Sequence, residues 1–144
     1  MENKSIAFVW MLALCLPSSA AFAQGRAEDG RQIVLLGARW CAPCMAEWRD
    51  LHRSVAAVAP ERLVLGWIDG AIPVPPDLIG QVGVMPPAQA LTLARGALGE
   101  GFGLPAAVMI GGAGRVCAVW RGVLRPEGLM ALREGCEVRP RRAE

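Results

Sequence analysis

The chain has 144 residues, 53% of them hydrophobic, and a formal net charge of +2. That length suits one domain with one core, and that composition excludes a disordered chain. The basic tail Arg139–Arg142 is short and carries no interleaved aromatics, so it reads as a solvated end and not a nucleic-acid site.

The N-terminus carries one positive charge at Lys4, an apolar run Ile6–Leu16, a break at Pro17-Ser18-Ser19, and the small-x-small pattern Ala21-Phe22-Ala23. This order predicts a signal peptide over 1–23, cleaved before Gln24, and a single domain over 24–144. The alternative is an uncleaved anchor, for which the apolar run is short of the roughly 20 residues that span a bilayer. Cleavage would remove Cys15 and leave four cysteines: Cys41, Cys44, Cys117 and Cys136. An even number in an oxidising compartment permits two disulfides.

Gln32–Ala38 is a continuous apolar run bounded by Arg31, predicting a buried strand. Ala42–Val58 predicts a helix, with Trp48, Leu51, Val55 and Val58 on one face and Pro43 in the first turn, where its missing N–H costs nothing. Pro60 stops it. Arg62–Asp69 is a second apolar strand, followed by the Pro-rich connection Gly70–Pro76, and 77–83 has no clear pattern. Ala88–Leu98 reads as a helix with Leu91 and Leu98 apolar. Ala106–Ile110 and Arg115–Arg121 read as strands joined by the turn Gly111–Gly114, and Pro126–Gly135 as a last helix with Leu129, Met130 and Leu132 inward. A right-handed crossover makes the first two strands parallel, and the Gly-rich turn makes the last two antiparallel. The expected fold is α/β, a mixed four-stranded sheet with helices on both faces.

Within this frame, Trp40-Cys41-Ala42-Pro43-Cys44 lies between a strand and a helix. Cys41 at the helix edge meets unpaired N–H groups and the positive end of the helix dipole, which favour its thiolate, and Arg39 is expected to add to that effect. Cys44, one turn in, is placed to resolve a mixed disulfide formed by Cys41. A structural bridge and a half zinc site are the alternatives. Zinc needs further ligands, and the lone His52 lies eight residues past Cys44, about 12 Å along a helix. His52 reads as a helix-surface residue. Trp40 reads as an apolar shield and docking surface, or else as core, and Trp48, Trp67 and Trp120 read as core.

These residues resemble the thioredoxin-like superfamily, and Trp40–Glu47 is most similar to its TlpA-type branch of exported bacterial thiol-disulfide oxidoreductases. The resemblance implies the thioredoxin fold, with Pro105 as a cis-proline before the third strand and Asp69 ending the second. It implies that the Leu104 backbone, beside Cys41, pairs with an extended substrate segment. Thioredoxin itself has an Asp six residues before the first Cys, where this chain has Leu35. The branch commonly has a Glu three residues past the second Cys, where this chain has Glu47. Glu47 is therefore expected to take the Cys44 proton as general base; the alternative is a solvent-facing Glu paired with Arg. The implied protein is a periplasmic monomer that needs no cofactor. It would take electrons from a membrane thiol reductant and reduce disulfides of exported proteins, apocytochrome c among them. An oxidase or isomerase on the same fold, and a non-catalytic metal- or partner-binding module, are the competing readings.

Cys117 and Cys136 form a second pair. Strand Cys117–Gly122 runs out roughly 17 Å and helix Pro126–Cys136 returns roughly 16 Å, so the ends should meet in a disulfide that holds the last helix. Two buried free thiols are the alternative.

Overall fold

The computed structural model describes residues 30–137; the expected leader, its expected cleavage site and the basic tail lie outside them. In chain order the elements are β1 (Gln32–Gly37), α1 (Ala42–Arg49), α2 (Leu51–Val58), β2 (Arg62–Trp67), β3 (Val82–Val84), α3 (Pro87–Leu98), β4 (Ala106–Ile110), β5 (Val116–Arg121) and α4 (Pro126–Glu137), with one 3-10 turn at Pro76–Leu78. The sheet has five strands in the order β3-β2-β1-β4-β5. β1 pairs parallel with β2 and antiparallel with β4, β2 pairs parallel with β3, and β5 pairs antiparallel with β4.

The expected four-strand count is corrected by β3. Val82-Gly83-Val84 is too short to show a period, and it becomes a strand only because Leu63–Leu65 offers a free edge. The single helix expected over 42–58 is two. Asp50 leaves helical geometry at φ −92° and ψ 18°, and its N–H is shared between the carbonyls of Ala46 and Glu47. Asp competes poorly for a helix interior, and α2 restarts on the other side of it.

The strand alternation divides the core. Ile33 and Leu35 face a layer with Leu51, Val58, Leu129 and Leu132 from α2 and α4; Val34 and Leu36 face α3. α3 meets the sheet through Ala90, Ala94 and Leu98, with Leu91 only half-buried. Small residues on that stripe let the helix lie close; a side chain on Gly66 of β2 would meet the Ala90 Cβ at 3.4 Å. α4 approaches closely too. A Cβ on Gly128 would lie 2.6 Å from the Trp120 ring, and one on Gly135 would lie 2.9 Å from the Ala118 Cβ. Met130, expected inward, is 59% exposed because the helix turns its glycines toward β5.

Candidate active site

Cys41 is the N-cap of α1. Its backbone is extended (φ −88°, ψ 103°), its C=O accepts the first helical bond from Met45, and its sulfur accepts from the Cys44 N–H at 3.3 Å. One of the helix's unpaired donors thus points at the sulfur itself, which favours negative charge there. Pro43 occupies the first turn without losing a bond. Cys41 and Cys44 are joined as a disulfide with their Cα atoms 5.3 Å apart. Both are buried, Cys44 at 1% exposure, while Ala42 and Pro43 are exposed.

Close packing sets the position of Cys44. A side chain on Gly37, at the end of β1, would lie 3.0 Å from the Trp67 ring and 3.1 Å from the Cys44 Cβ. Only glycine there lets the buried Trp67 seat the helix against the strand. The Arg39–Trp40 turn is held from the side. The Arg39 N–H donates to Asp69 Oδ2 at 2.8 Å, and its guanidinium donates to the Asp69 carbonyl at 2.7 Å. The guanidinium is drawn to Asp69 by this link and by an ion contact with its carboxylate at 3.8 Å. Gly70 follows with φ +142°, and a Cβ there would meet the Arg39 guanidinium at 2.6 Å. Two buried polar atoms near the site, Trp67 Nε1 and Asp69 Oδ1, have no hydrogen-bond partner among the described residues.

Trp40 is 71% exposed beside the pair, and Leu104 is half-buried against both core layers. The Leu104–Pro105 peptide is cis, as is Ala59–Pro60. Pro105 is buried, and its carbonyl accepts from the Gly122 N–H at 2.8 Å. Of the other tryptophans among the described residues, Trp67 alone is fully buried. Trp48 and Trp120 are half-buried and donate to the Pro73 and Val123 carbonyls, each at 3.1 Å, so their polar edge reaches the surface.

Glu47 follows Cys44 by one turn on the buried side of α1. It is 7% exposed and the only charged residue buried in the core among the described residues. Its Oε1 accepts from the Leu124 N–H at 2.7 Å. Burial pushes its carboxyl above the usual range, and the Leu124 hydrogen bond opposes that only in part. Leu35, by contrast, is an ordinary core residue opposite Leu65. Leu124 as the partner of Glu47 was not visible in the sequence, because it lies 77 residues away in a loop.

His52 is exposed and bonded to Asp77 at 2.5 Å, which pulls the Asp77 carboxyl below its usual range. With Trp48 on Pro73, this pair fastens the Pro-rich connection onto the first two helices. Among the described residues, no three His, Cys, Asp or Glu side chains gather into a metal-sized group. Far from Cys41, at the opposite end of the sheet, Cys117 and Cys136 are brought together and bonded, their Cα atoms 4.9 Å apart.

The strand order, the Cys pair at the N-terminus of α1 and the cis Pro105 at the head of β4 now stand together. The fold is thioredoxin-like. No family model and no curated protein sequence matches the chain. Among solved structures it is similar to StoA from Bacillus subtilis, at 12% identity over 72% of this chain and 81% of that one, with a TM-score of 0.47. It is similar to the exposed lipoprotein thioredoxin Etrx1 of Streptococcus pneumoniae, at 17% identity over 72% and 84%, with a TM-score of 0.48. It is also similar to a secreted thiol-disulfide isomerase from Corynebacterium glutamicum, at 20% identity over 73% and 70%, with a TM-score of 0.44.

Proposed function

We propose that the protein is an exported thiol-disulfide oxidoreductase of the TlpA type that works as a reductant through Cys41 and Cys44. The observation that carries this reading is the Cys41 sulfur at a helix N-cap, bonded to a fully buried Cys44 and backed by the buried Glu47. In the reduced protein, the Cys41 thiolate attacks one sulfur of a substrate disulfide. A Cys41–substrate bond forms and the other substrate sulfur leaves as a thiolate. Glu47, its carboxyl pushed above the usual range by burial, takes the Cys44 proton. The Cys44 thiolate then attacks Cys41, the second substrate thiolate leaves, and the protein is left with its own disulfide. Two electrons have passed to the substrate.

Exposed Trp40 and the Leu104 backbone beside Pro105 form the surface for an extended, apolar segment of a client protein. The leader over 1–23 supports export to the periplasm, where a membrane thiol reductant would return the protein to its dithiol form. No helix among the described residues is long and apolar enough to cross a membrane. Clients of cytochrome c maturation fit this chemistry.

Insulin reduction with a chemical thiol donor tests the reading. Turnover by the wild-type protein and none by Cys41→Ser is expected; equal rates for both would end it. A potential near −270 mV accords with a reductant, and one near −120 mV would turn the assignment to a disulfide-forming enzyme.

A further inference from the structure

Between α2 and the start of α4 lies a groove of about 400 Å³. Ala57, Val58, Leu124, Leu129 and Met130 give it an apolar lining, and among the described residues the only charged ones along it are Arg53, Arg125 and Arg133, with no acid. Arg133 is engaged by Glu61 at 2.7 Å and by two backbone carbonyls. Arg53 reaches Asp50 only at 3.4 Å across an exposed helix surface, and Arg125 makes no salt bridge among the described residues. Two guanidiniums are therefore available at the rim of an apolar trough.

Size limits the occupant. The volume falls in the roughly 300–1,000 Å³ range of small-molecule sites. A single turn of a helix roughly 10 Å across would already fill this volume, so the groove fits a slimmer occupant better. A single apolar chain with an anionic end matches both the width and the charge. We propose that this groove binds an apolar carboxylate of the dimensions of a medium-chain fatty acid, its chain along Leu124 and Met130 and its carboxylate on Arg53 and Arg125. Guanidinium groups suit a carboxylate through paired N–H donors. Leu124 also donates its N–H to Glu47 at 2.7 Å, so a bound chain would press on the segment that holds the acid next to Cys44. The site stands independently of the thiol chemistry.

The test uses the full protein, isotope-labelled and with both disulfides intact, titrated with sodium decanoate below its micelle concentration. Decylamine and an acetylated Glu-Leu-Glu-Leu peptide serve as counter-probes. Decanoate should give saturable one-to-one amide shifts at Ala57, Leu124 and Met130, and decylamine should not. Arg125→Glu should weaken decanoate about tenfold, the loss of one charge-assisted contact. Ala57→Trp, an exposed position on α2, should fill the groove and remove binding. The proposal is overturned by the absence of saturable shifts, by equal binding of decylamine, or by undiminished binding to Ala57→Trp. Saturation by the peptide without saturation by decanoate would also overturn it, assigning the groove to a protein partner.

Discussion

The chain carries two disulfides that differ in almost every physical respect. Cys41–Cys44 spans three residues, caps a helix and sits among exposed Trp40, Ala42 and Pro43. Cys117–Cys136 spans 19 residues and joins β5 to the C-terminal turn of α4, the end of the helix dipole that does not favour a thiolate. Sulfur reactivity follows thiolate stabilisation and access. Chain stabilisation follows the length of the loop closed, about 3 kcal/mol for a loop of this size on the entropic model. On the proposed reading the same bond type serves as chemistry at one end of the sheet and as a staple at the other, and the surroundings decide which.

Substitutions can break that contrast. The largest effect is expected from Cys41→Ser, which should lower insulin reduction to the uncatalysed background while the melting temperature of the oxidised protein changes far less than in the staple variant. Replacing Cys117 and Cys136 together with Ser should do the reverse. Stability in urea should fall by about 3 kcal/mol, and turnover at 25 °C should hold. A loss of turnover equal to that of Cys41→Ser would erase the distinction.

Arg133→Met probes the same staple by other means. Its guanidinium spans Glu61 and the carbonyls of Val58 and Ala59, so α4 is tied to the end of α2 without any sulfur. Burial alone would raise the Glu61 carboxyl, but the Arg133 hydrogen bonds and charge hold it below its usual range. Removing Arg133 should cost about 2 kcal/mol, with the polar groups left unpaired. The linkage sign is that of a lowered acid. This pair's contribution is present at neutral pH and fades as pH falls below the ordinary Glu range. A stability in Arg133→Met equal to wild type would show that Arg133 contributes nothing to holding α4.

The smallest effect is the most informative about the reactive end. Glu47→Gln keeps an acceptor for the Leu124 N–H but removes the buried charge, so reduction should slow several-fold while the melting temperature rises by a few degrees. Here the sign is opposite to Glu61. The folded protein holds a proton on Glu47 at pH values where the unfolded chain has lost it, so Glu47 costs stability as pH rises above the ordinary Glu range. The mutant should lack that slope. Unchanged kinetics across pH would remove Glu47 from proton transfer.

Much of this was legible in the sequence. Long apolar runs, glycine turns and the Cys spacing act locally, so β1, β2, α3, β4, β5 and α4 could be placed within a residue or two, and the two cysteine pairs by simple lengths. What stayed hidden depends on distant partners. β3 exists because β2 leaves an edge free. Arg39 bonds Asp69 through both its backbone N–H and its guanidinium, a partner that arrives from 30 residues away. Glu47 could be placed on the Cys44 side of its helix, but its capture by Leu124 could not be read from spacing. Met130 faces outward because Gly128 and Gly135, not the large apolar side chains, set how α4 meets β5.

Thiol trapping through a redox titration, read cysteine by cysteine by mass spectrometry, separates the two pairs most directly. Cys41 and Cys44 should become alkylated together within the roughly −120 to −270 mV span of thiol-disulfide catalysts, while Cys117 and Cys136 stay bonded until below about −300 mV. Reduction of both pairs at one potential, or of Cys117–Cys136 first, would contradict the assignment of catalyst and staple.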